Sequence, residues 1–458
     1  MNLPQPLLQS LQDVKGFDEE AFKKVHHDET VITSVRMNPG KMLPVEYPLL
    51  NVETEKVPWC SNGYYLSERP SFTGDPLFHA GAYYVQEASS MFLQQALQQT
   101  VDLSQPIKVL DLCAAPGGKS TLIQSLITAE SLLVSNEVIK TRVNILSENI
   151  TKWGAANVIV TNNDPRDFQR LENFFDVIVV DAPCSGSGLF RKDAAAVEEW
   201  SINNVQLCSQ RQQRILADVA AALKEDGVLI YSTCSYSPAE DETIGDWVAQ
   251  ELCLESLPLK IDDYPGIVAT VSTKEKTYGY RFYPHKVKGE GFFIAAFKKN
   301  TTSPSVKQER KQSKASEKVS RSTIEIIQPW LMNAADFFFI KQNEEIIALP
   351  RHLQDDLNSI QASLYIKKAG VRMGTVIRNE LIPHHELALS TAANAAIPYC
   401  EADLETALQY LRKQDIKIDT AITGWALLKY KTLPLGWVKI LPNRVNNYYP
   451  KEWRILNK

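Results

Sequence analysis

Two cysteines stand directly after apolar segments, in settings that suit a reactive thiol. Cys184 lies in Asp-Ala-Pro-Cys-Ser-Gly-Ser-Gly (181–188), and Cys234 lies in Tyr-Ser-Thr-Cys-Ser-Tyr-Ser-Pro (231–238). A thiolate is a nucleophile, and nearby amides and cations lower the pKa of its thiol. The two settings therefore predict a pair of reactive cysteines, and Lys119 is a candidate for the nearby cation.

A glycine-rich turn follows a third apolar segment, at Val-Leu-Asp-Leu-Cys-Ala-Ala-Pro-Gly-Gly-Lys (109–119). Glycines let the backbone approach a ligand closely, and the free amides at the start of the next helix face that ligand. The spacing is neither that of a phosphate-binding loop nor that of the Gly-x-Gly-x-x-Gly dinucleotide turn. The turn therefore predicts a nucleoside-like ligand that is bound differently from the ligands of those two motifs.

Three acidic residues stand at the ends of successive predicted strands. Glu137 ends the second strand, Asp164 follows the third, and Asp181 ends the fourth. One such acid usually caps a helix or faces solvent. Three of them after a glycine turn favour a ligand site, in which Glu137 binds ribose hydroxyls and Asp164 accepts from an adenine amino group.

Alternating strands and helices between 107 and 299 must position these residues. The strands are mostly apolar throughout, as strands buried on both faces should be. Alternation of this kind predicts a doubly wound parallel sheet that binds ligands at the carboxyl ends of its strands. The last strand is expected to be an antiparallel edge strand. The predicted strands are 108–112, 132–137, 157–161, 176–181, 227–233 and 292–297, and the predicted helices are 119–127, 140–153 and 205–223.

The flanking regions differ in composition from this central domain. Residues 1–100 are expected to form an extension that either packs on the domain or binds RNA, with a helix at 81–97. Residues 300–321 read as a disordered linker, since 298–321 carry eight Lys and Arg against two Glu and few apolar residues. This basic run either holds an RNA backbone or is simply solvated. Residues 322–458 form another globular region, with a hairpin at 424–441.

Composition and charge limit the classes of protein to which this chain can belong. The chain has 458 residues, a formal net charge of −5 and seven cysteines. The charge argues against coating nucleic acid by bulk electrostatics, and the odd cysteine count fits reduced thiols. Cys60, Cys208, Cys253 and Cys400 are expected to be ordinary packing residues. We find no zinc-ligand spacing and no apolar stretch long enough to span a membrane, so we expect a cytoplasmic protein without a metal.

The motifs together resemble the Nop/Sun family of SAM-dependent RNA cytosine-5 methyltransferases. The resemblance covers roughly residues 30–298, and the C-terminal region is similar to the PUA-like tail (about 380–458) of the bacterial member that methylates small-subunit ribosomal RNA. It implies a class I, Rossmann-like α/β methyltransferase domain at 101–299 with a small α+β N-terminal extension. The motifs are Cys-Ala-Ala-Pro-Gly-Gly-Lys (113–119), Asp-Ala-Pro-Cys-Ser-Gly (181–186), Ser-Thr-Cys-Ser-x-x-Pro-x-Glu-x-Glu (232–242), Ser-Val-Arg-x-Asn (34–38), Tyr-Val-Gln-Glu-Ala-Ser-Ser (84–90) and Arg-Phe-Tyr-Pro-His (281–285).

By this resemblance, Cys234 adds to carbon 6 of cytosine, and Cys184 assists release of the adduct. Asp181 hydrogen-bonds the base at N3 or its amino group. The reverse assignment, with Cys184 as nucleophile, stays open because DNA cytosine methyltransferases use the Pro-Cys cysteine. The residues implied to hold S-adenosyl-L-methionine (SAM) are Cys113, Ala114, Ala115, Pro116, Gly117, Gly118, Lys119, Glu137, Asp164 and Asp181, with Arg142 as a further candidate.

Two departures from the family pattern occur. The family's Glu-Asn-Glu is Glu-Asp-Glu (240–242) here, and the usual Gly-Arg after the third acid is Pro165-Arg166.

The function that the resemblance implies is formation of 5-methylcytidine in 16S ribosomal RNA by a monomer whose partner is RNA. Transfer RNA as the substrate, or a non-catalytic role in ribosome assembly, are the alternatives. Intact Cys184, Cys234 and Asp181 speak against a non-catalytic role.

Overall fold

In the computed structural model, the described residues are 3–28, 31–41, 52–300 and 317–456. Within them the strands form four sheets, of which the largest has ten strands. Most of the predicted linker, 301–316, lies outside the described residues. Among the described helices, none is long and apolar enough to cross a membrane.

The N-terminal region forms a small antiparallel sheet with helices around it. Its elements are α1 (Gln5–Leu11), α2 (Glu19–His27), β1 (Thr33–Met37), β2 (Thr54–Lys56), β3 (Gly63–Leu66), α3 (Pro76–Ala80), β4 (Tyr83–Val85) and α4 (Leu93–Thr100). The strands pair in the order β2-β3-β1-β4. The helix predicted at 81–97 is wrong in its first half. Gly81 ends α3 in a left-handed conformation, with φ of +74°, and β4 then pairs with β1.

The central region is the predicted doubly wound sheet. Its elements are β5 (Lys108–Asp111), α5 (Gly118–Gln124), β6 (Leu132–Asn136), α6 (Lys140–Trp153), β7 (Val158–Thr161), β8 (Phe175–Asp181), α7 (Ala194–Glu199), α8 (Ile202–Val219), β9 (Leu223–Thr233), α9 (Glu242–Glu251), β10 (Leu254–Leu257), β11 (Val268–Val271), β12 (Tyr278–Phe282) and β13 (Phe292–Lys299). The strands β7-β6-β5-β8-β9 are parallel neighbours. Strand β13 is antiparallel as predicted, but it is not an edge, because β10 and β12 pair with its other side.

The parallel strands are buried on both faces. Along β5, Val109 and Leu110 point into different apolar clusters, and Val158 and Ile159 of β7 do the same. All four side chains are at most 1% exposed. Apolar cover on both faces explains why these strands read as unbroken hydrophobic runs rather than as alternating patterns.

The C-terminal region contributes to the central sheet as well as forming two sheets of its own. Its elements are β14 (Glu317–Lys318), α10 (Arg321–Ile327), β15 (Phe337–Gln342), β16 (Glu345–Pro350), α11 (Gln354–Ser363), β17 (Ile366–Ala369), β18 (Val371–Ile377), β19 (Glu380–Pro383), α12 (His385–Leu389), β20 (Tyr399–Glu401), α13 (Leu404–Leu411), β21 (Gly424–Tyr430), β22 (Leu433–Leu441) and β23 (Arg444–Asn447). Strand β17 pairs antiparallel with β7, which sequence analysis did not predict. The hairpin predicted at 424–441 is confirmed as β21 and β22.

A buried arginine ties the N-terminal sheet to the helix after the glycine turn. Arg36 of β1 is 2% exposed, and its Nε donates to Gln86 Oε1 at 2.9 Å. Its Nη2 donates to Gly118 O at 3.2 Å and to Thr121 Oγ1 at 2.6 Å. The guanidinium also lies 4.6 Å from the centre of the Trp153 ring. This planar fork of donors matches acceptors on two regions of the chain at once.

We therefore expect Arg36→Lys to destabilise the protein. A lysine ammonium lacks the planar fork and leaves several buried acceptors without a donor. Urea denaturation should show a loss of about 2–4 kcal/mol in the free energy of unfolding. Arg211→Lys, on the exposed face of α8, is the matched control and should change stability by less than about 0.5 kcal/mol. Equal stabilities of the two variants would contradict this role for Arg36.

Candidate active site at the carboxyl ends of the parallel strands

The loops that follow β8 and β9 begin side by side. Asp181, the last residue of β8, is the register partner of Ser232 in β9. The chain then brings Cys184 and Cys234 together, with 3.1 Å between their Sγ atoms. Both are free thiols. The structure thus places the two sequence-predicted cysteines in one site.

The two thiols share a hydrogen bond that affects the ionisation of Cys184. The hydrogen bond to Cys234 raises the pKa of Cys184 well above its ordinary value, and burial and nearby negative charge act in the same direction. Cys184 therefore keeps its proton near neutral pH. A thiol that holds its proton beside a second thiol can exchange that proton with it.

Lys119 and Asp181 form an ion pair beside the thiols. The distance from Lys119 Nζ to Asp181 Oδ2 is 2.7 Å, and Asp181 Oδ1 accepts from Ser232 Oγ at 2.8 Å. Burial lowers the pKa of Lys119, but the Asp181 carboxylate more than offsets it, so the net pKa is raised. Lys119 is therefore a fixed positive charge, and it lies within electrostatic range of Cys234.

Asp111 ends β5 and is fully buried beneath the glycine turn. Its Oδ2 accepts from Ser120 Oγ at 2.6 Å, whereas Oδ1 has no hydrogen-bond partner among the described residues. Burial raises the pKa of Asp111 to about 7. An unpaired buried acceptor at this edge suits a ligand that brings a donor, and SAM carries an amino group of that kind.

The glycine turn is held in place by helix α6. Arg142 Nη2 donates to Ala115 O at 2.6 Å, and Asn149 Nδ2 donates to Pro116 O at 2.8 Å. Gly117 has φ of +119°, a left-handed conformation that favours glycine. A β-carbon on Gly118 would lie 3.3 Å from Tyr84 Cε1, so little space remains for a larger residue.

Two of the predicted acids lie farther along the same edge. Glu137 is 3% exposed; its Oε1 accepts from Ile139 N at 2.9 Å, and its Oε2 lies 3.4 Å from Arg142 Nη1. Asp164 is more exposed, and its Oδ1 accepts from Arg166 N at 3.2 Å. The order of the strands therefore sets the acids in a row, from Asp181 through Glu137 to Asp164.

Cys113, in the glycine turn, differs from the paired cysteines. Burial raises its pKa, and the carboxylates of Asp111, Asp181 and Glu137 raise it further. It therefore stays a neutral thiol. This environment suits a packing or ligand-contact role and does not suit a nucleophile.

Sequence analysis missed Asn136, which aligns two loops of the site. Its Nδ2 donates to Leu112 O at 3.1 Å and to Asn163 O at 3.0 Å, and its Oδ1 accepts from Asn163 N at 3.0 Å. It is 1% exposed. A polar amide residue at the end of a fully buried strand was the available signal.

These features define a class I methyltransferase. The strands β7-β6-β5-β8-β9 are parallel, a glycine turn follows the central strand β5, and acids stand at the ends of the neighbouring strands. Enzymes of this class bind a nucleoside cofactor at the carboxyl ends of such strands. The buried free acceptor on Asp111 and the glycine turn fit SAM, the cofactor of this class. SAM supplies an electrophilic methyl group when it is bound.

Three models of known protein families match successive parts of the chain. The family described as 16S rRNA methyltransferase RsmB/F matches residues 98–298. The N-terminal domain of 16S rRNA methyltransferase RsmF matches residues 3–88, and the methyltransferase RsmF PUA domain matches residues 399–455.

Individual relatives extend this agreement over nearly the whole length. The chain is 31% identical to the ribosomal RNA small subunit methyltransferase F of Aeromonas salmonicida, over 92% of this chain and 90% of the relative. It is 30% identical to the protein of the same name from Shewanella oneidensis, with the same coverage. The chain therefore belongs to the RsmB/F family of SAM-dependent RNA methyltransferases, as its motifs predicted.

Solved structures agree on the fold. A methyltransferase homolog protein from Pyrococcus horikoshii superposes with a TM-score of 0.52 at 28% identity, over 65% of this chain and 100% of that one. NSun6 from the same organism, solved with SFG, has a TM-score of 0.54 at 19% identity, over 65% of this chain and 99% of that one.

The raised pKa of Asp111 predicts a pH-dependent cost in stability. The unfolded chain releases this proton near pH 4, whereas the folded chain holds it to about pH 7. Asp111 therefore destabilises the fold increasingly as pH rises from about 4 to about 7. Asp111→Asn keeps an acceptor for Ser120 and removes this ionisation.

We expect Asp111→Asn to gain stability relative to the wild type as pH rises through this window, by at most about 4 kcal/mol at pH 8. Urea denaturation of both proteins between pH 5 and pH 8 measures the difference. Asp262→Asn, at an exposed position, is the control. A difference between Asp111→Asn and wild type that does not change with pH would contradict the assignment.

Proposed function

We propose that this protein transfers a methyl group from SAM to carbon 5 of a cytidine in 16S ribosomal RNA. The observation that carries the proposal is the pair of thiols of Cys184 and Cys234, 3.1 Å apart beside the ion pair of Lys119 and Asp181. Carbon 5 of cytosine is a poor nucleophile, and a thiol that adds to carbon 6 overcomes this. The names of the relatives support ribosomal RNA as the substrate.

In the first step, the Cys234 thiolate forms a bond to carbon 6, and the electrons of the 5,6 double bond make carbon 5 nucleophilic. Lys119 favours the thiolate because it is a fixed cation within range of Cys234. Asp181, which is one-third exposed, faces the open side of the site. It accepts a hydrogen bond from the cytosine amino group or from protonated N3 and so stabilises the charge that develops.

In the second step, carbon 5 would take the methyl group of bound SAM, the bond from the methyl group to sulfur would break, and S-adenosylhomocysteine would leave. Carbon 5 then bears both the new methyl group and its original proton. A base removes that proton, the 5,6 double bond returns, and the Cys234 thiolate leaves. Cys184 assists this release because its Sγ lies within proton-exchange distance of the Cys234 Sγ. The raised pKa of Cys184 suits it to hold a proton rather than to attack. Attack by Cys184, the reverse assignment, is the alternative.

The residues proposed to hold SAM line one edge of the sheet. They are Cys113, Ala114, Ala115, Pro116, Gly117, Gly118, Lys119, Glu137, Asp164 and Asp181, with Arg142 as a further candidate. The glycine turn offers backbone amides, Glu137 suits ribose hydroxyls, and Asp164 suits an adenine amino group. The burial of Glu137 and the partial exposure of Asp164 support a ribose held deeper than the adenine.

The flanking regions are proposed to present the RNA. A cytidine within folded RNA must leave its stack to reach two half-buried thiols. We propose the division 1–100, 101–299, 300–321 and 322–458, with RNA contacts in the first region and in the PUA module at about 380–458. We further propose that the protein acts as a monomer in the cytoplasm, where ribosomal subunits lie.

Methyl transfer from labelled SAM to isolated small ribosomal subunits, naked 16S ribosomal RNA and total transfer RNA tests the proposal. We expect label in ribosomal RNA and a loss of at least about 1,000-fold with Cys234→Ala. Cys184→Ala should accumulate a covalent protein–RNA adduct, because release is impaired. Cys253→Ala, which changes an exposed cysteine between α9 and β10, is the control that should keep activity.

Other outcomes would change the proposal. Label in transfer RNA alone would move the substrate to transfer RNA. SAM binding without label in any RNA would favour a non-catalytic role in ribosome assembly. An adduct trapped by Cys234→Ala rather than by Cys184→Ala would reverse the roles of the two cysteines.

A further inference from the structure

A buried carboxylate lies directly behind the two thiols. Glu240 has no exposed surface, and its carboxylate accepts four hydrogen bonds. Oε1 accepts from Ser185 N at 2.8 Å and from Gln212 Nε2 at 3.2 Å. Oε2 accepts from Ser185 Oγ at 2.5 Å and from Ser235 Oγ at 2.6 Å.

Each serine held by Glu240 directly follows one of the cysteines. Ser185 follows Cys184 in the loop after β8, and Ser235 follows Cys234 in the loop after β9. One carboxylate group therefore binds both cysteine loops through a single pair of oxygens. A shift of either serine would move the neighbouring thiol.

Glu240 is also held by the surrounding elements. Gln212 of α8 donates both to the Glu240 carboxylate and to Pro183 O, at 3.1 Å for the latter. Tyr231 of β9 donates its hydroxyl to the main-chain carbonyl of Glu240 at 2.7 Å. Ser237 N donates to Ser235 Oγ at 3.0 Å. Glu240 is thus the centre of a hydrogen-bond network that reaches three elements.

Unlike its acidic neighbours, Glu240 forms no ion pair with a cationic side chain of the described residues. Asp241 and Glu242 both pair with Arg281. Among the described residues, no lysine, arginine or histidine forms an ion pair with Glu240. A buried carboxylate without a cation is costly, and here only hydrogen-bond donors stabilise it. Stability alone does not explain such a residue at the back of the site.

We propose that Glu240 is a positioning residue, which holds the thiols of Cys184 and Cys234 at reacting distance and keeps the two chemically distinct. This inference rests on the proposed function. Glu240 has no exposed surface, and it acts through Ser185 and Ser235.

Charge distinguishes the two thiols. Glu240 contributes to the raised pKa of Cys184, whereas Lys119 lies within range of Cys234. The negative charge of Glu240 therefore disfavours a thiolate on Cys184. The other titratable groups near Glu240 are Cys208 of α8, Tyr231 of β9 and the adjacent Asp241. Glu240 thus acts on Cys184 through its charge and on both cysteine loops through its hydrogen bonds.

Glu240→Gln tests the proposal with little change in volume. The amide removes the negative charge and directs an NH2 group at donors of Ser185 or Gln212, so the network must rearrange. We expect kcat for RNA methylation to fall about 10- to 100-fold, with the Kd for SAM changed by less than about twofold. Glu251→Gln, at the exposed end of α9, is the matched control and should leave both unchanged.

A second measurement needs no RNA. Limited alkylation with iodoacetamide, followed by peptide mass spectrometry, gives separate rates for Cys234 and Cys184. We expect the ratio of the Cys234 rate to the Cys184 rate to fall at least about threefold in Glu240→Gln, because the charge that disfavours a Cys184 thiolate is gone. A purely structural role would not change this ratio in a protein that still binds SAM.

The outcomes separate this inference from the proposed function. An unchanged kcat and an unchanged alkylation ratio in Glu240→Gln would overturn it. If Glu240→Gln does not fold, Ser235→Ala frees the Cys234 loop from the carboxylate while Glu240 keeps its charge. We expect kcat for RNA methylation to fall in Ser235→Ala with the Kd for SAM unchanged, and an unchanged kcat there would also overturn the inference. A shifted ratio in a protein whose wild type methylates no RNA would support Glu240 as the positioning residue and refute the proposed function.

Discussion

The site depends on the register between two parallel strands, β8 and β9. Asp181 lies opposite Ser232, so the loops that carry Cys184 and Cys234 leave the sheet as neighbours. The register is set by burial, because Val179 and Ile230 are register partners and belong to the same apolar cluster. A shift of one residue would turn every side chain of the strand to the opposite face. Packing in the core therefore brings the two cysteine loops to the same place at the end of the sheet.

Sequence reasoning recovered the parts of the fold that depend on local pattern. The apolar runs predicted the five parallel strands, and the positions of the cysteines and acids after them predicted one shared edge. Asn136 was missed because its role depends on two loops that meet only in the folded chain. Glu240 was noted as part of a motif, but its contacts to both serines depend on strand register and could not be read from spacing.

The wrong or missing predictions concern elements that pair with segments far away in the sequence. The sequence around residues 83–85 is compatible with a helix. These residues nevertheless form strand β4, because they pair with β1. Strand β13 was predicted at an edge because the short strands β10 and β12 have weak patterns. Pairing of β17 with β7 joins residues about 200 positions apart, as the hydrogen bond from Asn163 Nδ2 to Tyr365 O illustrates. No local signal marks such a pairing.

The strand β17 also has a consequence for how the chain can be divided. Without it, β7 would present a row of unpaired backbone groups along the open edge of the central sheet, and such edges pair readily with other chains. A fragment that stops before residue 301 would therefore expose the unpaired edge of β7 next to its cofactor site, where another chain could pair with it. The C-terminal region therefore covers the end of the catalytic sheet, and the sheet is complete only when both regions are present.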